Sequence, residues 1–310
     1  MADSTVSMSA GASSLRKALD WGSLAPLRLR ARLVAEGVYA GAHRSARRGA
    51  GIEFGGYRAY TPGDDLRWLD HRSLLLHDRL VVKQFETETD RALRLVVDAT
   101  ASMGYRGASA PGAKLAWAAV VAAALARLAG SSGDPVGLTY FGGGEGTRSV
   151  PVSAGREAFE RIVGSLEAVT AGGDARFDVT VIDRALGGLA RSARRGSIVV
   201  VLSDLLDLPE VAADRIAAVA AGGRVVVVVQ LLDPDEATFP FEGTLRLEAL
   251  EGGAVVETDA DVMRGQYLEA LSRQNNEWER ALVARGARVV HARTTDDPVQ
   301  VVRSVVLAAR

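Results

Sequence analysis

Cysteine is missing from all 310 residues. Its absence excludes disulfides, thiolate zinc sites, iron–sulfur clusters and a cysteine nucleophile together. Aromatic residues make up only 5% of the chain, so the 48% that is hydrophobic must build an aliphatic core of Val, Leu, Ala and Ile. An excess of either charge is also absent: 37 Lys and Arg against 38 Asp and Glu leave a net charge of -1. Without a global basic field there is nothing to hold a nucleic-acid backbone, and no nucleic acid is expected as a partner. Long unbroken apolar runs are lacking too. Arg127 interrupts Leu115–Ala129 and Arg224 interrupts Ile216–Leu232, so neither supplies the ~18 apolar residues of a membrane span. The N-terminal MADSTVSMSAGASSLRKALDWG has no basic region followed by an apolar one, and no signal peptide is expected. These absences predict a soluble, cytoplasmic protein without membrane insertion.

Groups that carry common catalysis are scarce as well. None of the three lysines, Lys17, Lys83 and Lys114, follows a G-x-x-x-x-G, which excludes a P-loop. The nucleophile-elbow pattern G-x-S-x-G is missing around Ser102, and His43, His71, His77 and His291 lie outside the strand-end loops named below. Gly142–Gly146 opens onto a strand-like stretch, whereas a dinucleotide phosphate needs a helix N-terminus.

What is present is a regular alternation of β and α patterns from residue 91 on. ALRLVVDA, PVGLTYFG, Arg148–Val152, SIVVVLSD, RVVVVVQLLD and ARVVHA read as strands. Lys114–Leu128, Glu157–Leu166, Ile182–Ser192, Asp261–Arg285 and Pro298–Ala309 read as helices, and 244–257 as an inserted β-hairpin. Apolar runs without alternation suit a parallel sheet covered on both faces. The fold class is therefore α/β, an open doubly wound, mostly parallel, Rossmann-like sheet over 91–310. Ahead of it lie a disordered tail over 1–23 and a segment over 24–90. That segment holds a helix, with Leu27, Leu33, Val34 and Val38 on one side, and short β pieces around the Pro62-Gly63 turn. Arg44, Arg47 and Arg48 sit in its most basic stretch, which is either a solvated helix face or a docking surface for an acidic partner. Lys114 is expected to snorkel at the start of an Ala-rich helix, and Phe239-Pro240-Phe241 to plug a core.

In such a sheet, ligands bind at the carboxyl ends of the strands. Two strands end there in acid, LVVDATAS at Asp98 and VVVLSD at Asp204, and the first adds hydroxyls at Thr100 and Ser102. A buried carboxylate is costly unless its charge is met. Two roles suit these residues equally on spacing alone. Hard oxygens on neighbouring loops are what Mg²⁺ takes. Alternatively, the acids cap the following helices or loops, with Thr100 and Ser102 as turn hydroxyls.

Asp98-x-Thr100-x-Ser102, followed by Met103-Gly104, resembles the metal-ion-dependent adhesion site of von Willebrand factor type A domains, D-x-S-x-S. GAHRSARRGAGIEFGGYRAYTPGDDLRWLDHRSLLLHDRLVVKQFETETD, LLDPDEATFPFEG and the C-terminal TDDPVQVVRSVVLAAR resemble, in order, the signature of the domain-of-unknown-function family number 58. This resemblance implies a von Willebrand A-like domain with a metal shell of Asp98, Thr100, Ser102, Asp204 and a separate threonine. Thr180 lies at about the right distance for the last; Asp174 follows the expected glycines but is no hydroxyl. Thr100 stands where serine is usual. The implied function is a non-enzymatic interaction module holding Mg²⁺ or Mn²⁺, completed by a partner's carboxylate. The implied partner is a MoxR-type AAA+ ATPase. The rival from another class is a metal-dependent phosphoesterase or hydrolase using the same carboxylates.

Overall fold

A computed structural model describes residues 26–45, 54–59, 81–85, 92–145, 147–173, 179–206, 208–209, 211–248 and 255–310. The expected tail over 1–23 and the Pro62-Gly63 turn lie outside the described residues. The chain divides into two compact units, one of residues 39–89 and one comprising the rest. In the smaller unit, β1 (Phe54–Ala59) pairs antiparallel with β2 (Val81–Phe85), with an irregularity between Phe54 and Gly56.

The larger unit is built on a six-stranded sheet of order β10-β7-β6-β3-β4-β5. Its strands are β3 (Leu93–Ala99), β4 (Val136–Gly142), β5 (Val150–Ser153), β6 (Ile198–Ser203), β7 (Val225–Leu232) and β10 (Arg288–Arg293). All neighbours are parallel except β5, which runs antiparallel to β4. The order turns back at β3: β4 lies on one side of it and β6 on the other, which makes the carboxyl end of β3 a switch point of the topology.

The unbroken apolar runs are explained by burial on both faces. Leu95, Val97, Val200, Leu202, Val227 and Val229 belong to one core, with helices α1 (Leu27–Ser45), α2 (Lys114–Ser131), α3 (Arg156–Ala168) and α8 (Pro298–Ala308). Their chain neighbours Val96, Val199, Val201, Val226 and Val228 belong to the other. That core is covered by α4 (Val179–Ser192), α5 (Val211–Ala221) and α7 (Ala260–Ala284). Helix α4 is continuous from Val179–Ile182 through a π-helical stretch, Asp183–Gly187, to Gly188–Ser192.

Helix α2 is the centre of the first core. Every residue from Lys114 to Ala126 is buried, which the small alanine side chains permit by letting neighbours approach closely. By length and composition α2 could cross a membrane, yet 78% of it is buried inside the fold. In α1, Leu27, Ala31, Val34, Ala35 and Val38 are buried at helical spacing. Leu33, placed on that face from the sequence, is instead 57% exposed, and Ala31 fills the stripe.

After β7, the short α6 (Pro234–Thr238) leads into the hairpin β8 (Thr244–Glu248) and β9 (Val255–Asp259). Phe239 closes a small satellite core there, stacking edge-on against Phe241 and tilted against Tyr267.

Trp117 is the largest fully buried side chain among the described residues, and its indole N–H donates to the Asp296 carbonyl. Trp117→Ala leaves a cavity at the centre of the aliphatic core and should cost ~3–5 kcal/mol, read as a lower urea midpoint at unchanged slope.

Candidate functional site

The site begins where β3 ends. Asp98, Thr100 and Ser102 are all buried, although polar, at the switch point. The Asp98 carboxylate is fully held. Its Oδ1 accepts from the Thr100 amide at 2.9 Å and the Thr100 hydroxyl at 2.6 Å. Its Oδ2 accepts from Ser203 Oγ, at the end of β6, at 2.6 Å. The hydroxyls of Thr100 and Ser102 lie 3.1 Å apart. A turn of 3₁₀ helix over Ala101–Gly104 presents Ser102, closed by the Met103 amide on the Thr100 carbonyl.

Neighbouring loops clamp this turn. The Gly172 amide donates to the Ala99 carbonyl, and the Ala101 amide to the Gly173 carbonyl. Gly142, at the end of β4, has φ +71° and sits against Thr100; a Cβ there would lie 2.7 Å from the Thr100 amide nitrogen. Glycine is thus required twice over, by the left-handed backbone and by the close approach.

Asp204 follows β6 and is 1% exposed. Its Oδ1 accepts from the Leu206 amide at 3.1 Å. Leu205 between them is left-handed, with φ 59°, an uncommon conformation for a branched side chain. The Leu205 amide donates to Ser203 Oγ, which holds the turn.

Lys114 corrects the sequence reading. It does not snorkel to solvent; its side chain is wholly buried. Nζ donates to Asp204 Oδ2 at 2.7 Å and to Glu236 Oε1 at 2.5 Å. It also lies 5.8 Å from the centroid of the Tyr105 ring, within cation–π range. A buried ammonium requires such partners, because isolated it would give up its proton. Burial alone lowers the Lys114 pKa, but the charges of Asp204 and Glu236 outweigh it and hold the group above the ordinary lysine value.

The motif Asp233-Pro234-Asp235-Glu236 supplies the rest. Asp233 caps α6, and Glu236 reaches back to the Asp233 amide, a reciprocal capping box. The remaining carboxylate oxygens serve the loop after the 3₁₀ turn. Asp233 Oδ2 accepts from the Gly107 amide at 2.9 Å, and Asp235 takes the Ala108 amide at 2.7 Å and the Ser109 hydroxyl at 2.5 Å. A Cβ on Gly107 would lie 2.3 Å from Asp233 Oδ1, so only glycine lets the acids approach.

The structure therefore brings together Asp98, Thr100, Ser102 and Asp204. It does not bring Thr180 to them. Thr180 stands exposed at the start of α4, and its hydroxyl accepts from Arg184 one turn on. The residue that leaves the clamped Gly173 is Asp174, outside the described residues. Arg47 and Arg48, and the side chain of Arg44 in the last turn of α1, are also outside them. Sequence reasoning missed Lys114, Ser203 and the Asp233–Glu236 motif. The signal for the last was a third continuous apolar strand ending in acid, with Asp and Glu at capping-box spacing.

A divalent cation at this place can be judged by its donors. Among the described residues no group of three or more His, Cys, Asp or Glu is set to hold a metal. What is offered is two hydroxyls beside two carboxylates, all hard oxygens, which suits Mg²⁺ or Mn²⁺. Lys114 pairs with Asp204 and Glu236 but makes no ion pair with Asp98. Burial, and secondly the charge of Asp204, push the Asp98 carboxyl up to about 7, against the opposing hydrogen bonds of Ser203 and Thr100. The residues fit the ion.

A family model described as "Protein of unknown function DUF58" matches residues 56–277. The chain belongs to the DUF58 family. A relative, "Uncharacterized protein Rv1480" of Mycobacterium tuberculosis, is 31% identical over 283 residues, covering 89% of this chain and 85% of that one. Similar solved structures include BatB from Bacteroides thetaiotaomicron, 17% identical with a TM-score of 0.47, covering 70% of this chain and 97% of that one. Another is an aerotolerance-related membrane protein from Bacteroides fragilis, 18% identical with a TM-score of 0.44, covering 71% and 98%. A von Willebrand factor type A structure from Catenulispora acidiphila is 14% identical with a TM-score of 0.36, covering 72% and 43%. The α/β, mostly parallel, doubly wound sheet expected from the sequence is the fold observed. The cytoplasmic expectation is corrected: similar structures are named as membrane proteins, the B. fragilis one and a membrane spanning protein from Vibrio fischeri.

The raised Asp98 pKa has a definite sign in stability. Unfolded, the group titrates near 3.9; folded, near 7. Its stabilising contribution is complete below the unfolded value and is lost as pH rises through about 7. Asp98→Asn removes that titration while keeping an acceptor for Thr100. In EDTA the variant should match wild type near pH ~4 and exceed it above pH ~7, by up to a few kcal/mol at about 1.4 kcal/mol per pKa unit. Urea titrations across that range provide the check.

Proposed function

We propose that this chain is a non-enzymatic protein-interaction module that recognises a partner carboxylate through a divalent cation. The observation that carries the reading is the buried Asp98 carboxylate. It has hydrogen bonds but, among the described residues, no cationic partner, and it lies beside two buried hydroxyls at the topological switch point. Asp98, Thr100, Ser102 and Asp204 would hold the ion, Mg²⁺ or Mn²⁺. When bound, the ion supplies a positive centre for an Asp or Glu of the partner. The chain's own residues fix the rest. Ser203 and the Thr100 amide orient Asp98, the Gly172–Gly173 loop clamps the turn, and Asp233 and Asp235 hold the 107–109 loop. Such a rigid frame suits recognition, since each donor is already placed before the partner arrives.

The DUF58 resemblance supplies the class of partner, a MoxR-type AAA+ ATPase. One ion–carboxylate contact is too small to hold two proteins, so loops around the site must add area to the interface.

Titration calorimetry with Mg²⁺ tests the ion. Wild type should give one weak site and Asp98→Ala none; equal heats from the two would sink the metal site. Capture of the ATPase by tagged chain should weaken at least tenfold in EDTA and equally in Ser102→Ala. Unchanged capture in both would place the interface elsewhere.

A further inference from the structure

We infer that Lys114 is the resident cation of the strand-end site, competing with a divalent ion for Asp204 and thereby setting the site's affinity for that ion. The inference rests on the metal-bridged reading above and goes beyond it in assigning a role to a residue outside the shell.

The geometry is specific. Both oxygens of Asp204 are engaged, Oδ1 by the Leu206 amide and Oδ2 by Lys114 Nζ. An ion at the Thr100 and Ser102 hydroxyls has to share this carboxylate with the ammonium. Lys114 is not stranded by the exchange, because Glu236 Oε1 also binds Nζ and the Tyr105 ring lies beside it. Glu236 in turn is anchored, its Oε2 accepting from the Asp233 amide. The lysine therefore has one fixed partner and one shared with the candidate shell.

Charge gives the direction of each perturbation. With Asp98, Asp204 and Glu236 ionised against Lys114, the cluster carries two net negative charges. Lys114→Met adds a third and frees Asp204 Oδ2, so the ion binds more tightly. Glu236→Gln removes one and leaves Asp204 as the sole charged partner of Lys114, so the ion binds more weakly. Glutamine keeps the capping-box geometry at that position, which guards the fold in the second variant.

The test is Mn²⁺ binding to the full chain, followed by the loss of the free-ion paramagnetic resonance signal. Wild type, Lys114→Met and Glu236→Gln are compared. The expected result is a dissociation constant at least tenfold lower for Lys114→Met and several-fold higher for Glu236→Gln. Constants equal to wild type in both variants, or shifted the same way in both, would overturn the role of Lys114. Should Lys114→Met fail to fold, Glu236→Gln decides alone: weaker binding supports the role, and unchanged or tighter binding removes it. Absence of binding in all three proteins would instead overturn the metal-bridged reading, and the inference with it.

Discussion

Two adjacent parallel strands, β3 and β6, run out of an aliphatic core into aspartates, and both carboxylates are buried at the sheet edge. Everything around the site answers the cost of that arrangement. One acid is met by the ammonium of Lys114, brought in on the first turn of α2. The other is met, among the described residues, by hydroxyls and an amide. Burial and the neighbouring carboxylate leave it with a strongly raised proton affinity. An enclosed carboxylate in that condition takes up a proton or a cation. The two hydroxyls beside it are the further hard oxygens that the proposed cation would use.

The Asp233–Glu236 motif ties three parts of the chain to this edge. Its acids cap their own helix, hold the loop that follows the Asp-x-Thr-x-Ser turn, and share Lys114 with Asp204. Glycines at 107 and 142 are the counterpart, removing side chains where carboxylate or backbone comes too close for any Cβ. The result is a frame in which positions far apart in sequence fix one another without a disulfide or a large aromatic core.

Most of the fold was legible in the sequence, because the parallel strands are unbroken apolar runs and few other structures bury both faces of a strand. Helix and strand bounds differ from expectation by only a few residues, as at α7 and β10. Leu33 misled because helical spacing admits two neighbouring stripes, and the one through Ala31 is the buried one. Within the site, Asp98, Thr100, Ser102 and Asp204 were readable from position alone at the strand ends. Lys114 was not: a lysine opening an Ala-rich helix snorkels in most settings, and its burial depends on two carboxylates 90 and 122 residues away in sequence. Thr180 was chosen by chain distance, which does not report that a side chain points to its own helix.

The central claim is that the strand-end oxygens form a cation shell. Anomalous scattering at the manganese edge from crystals grown with Mn²⁺ tests it most directly. The account predicts a peak between the Thr100 and Ser102 hydroxyls, within ~2.2 Å of each, with Lys114 remaining on Glu236. A map without a peak at that place under saturating Mn²⁺, with Lys114 still paired to Asp204, would contradict it.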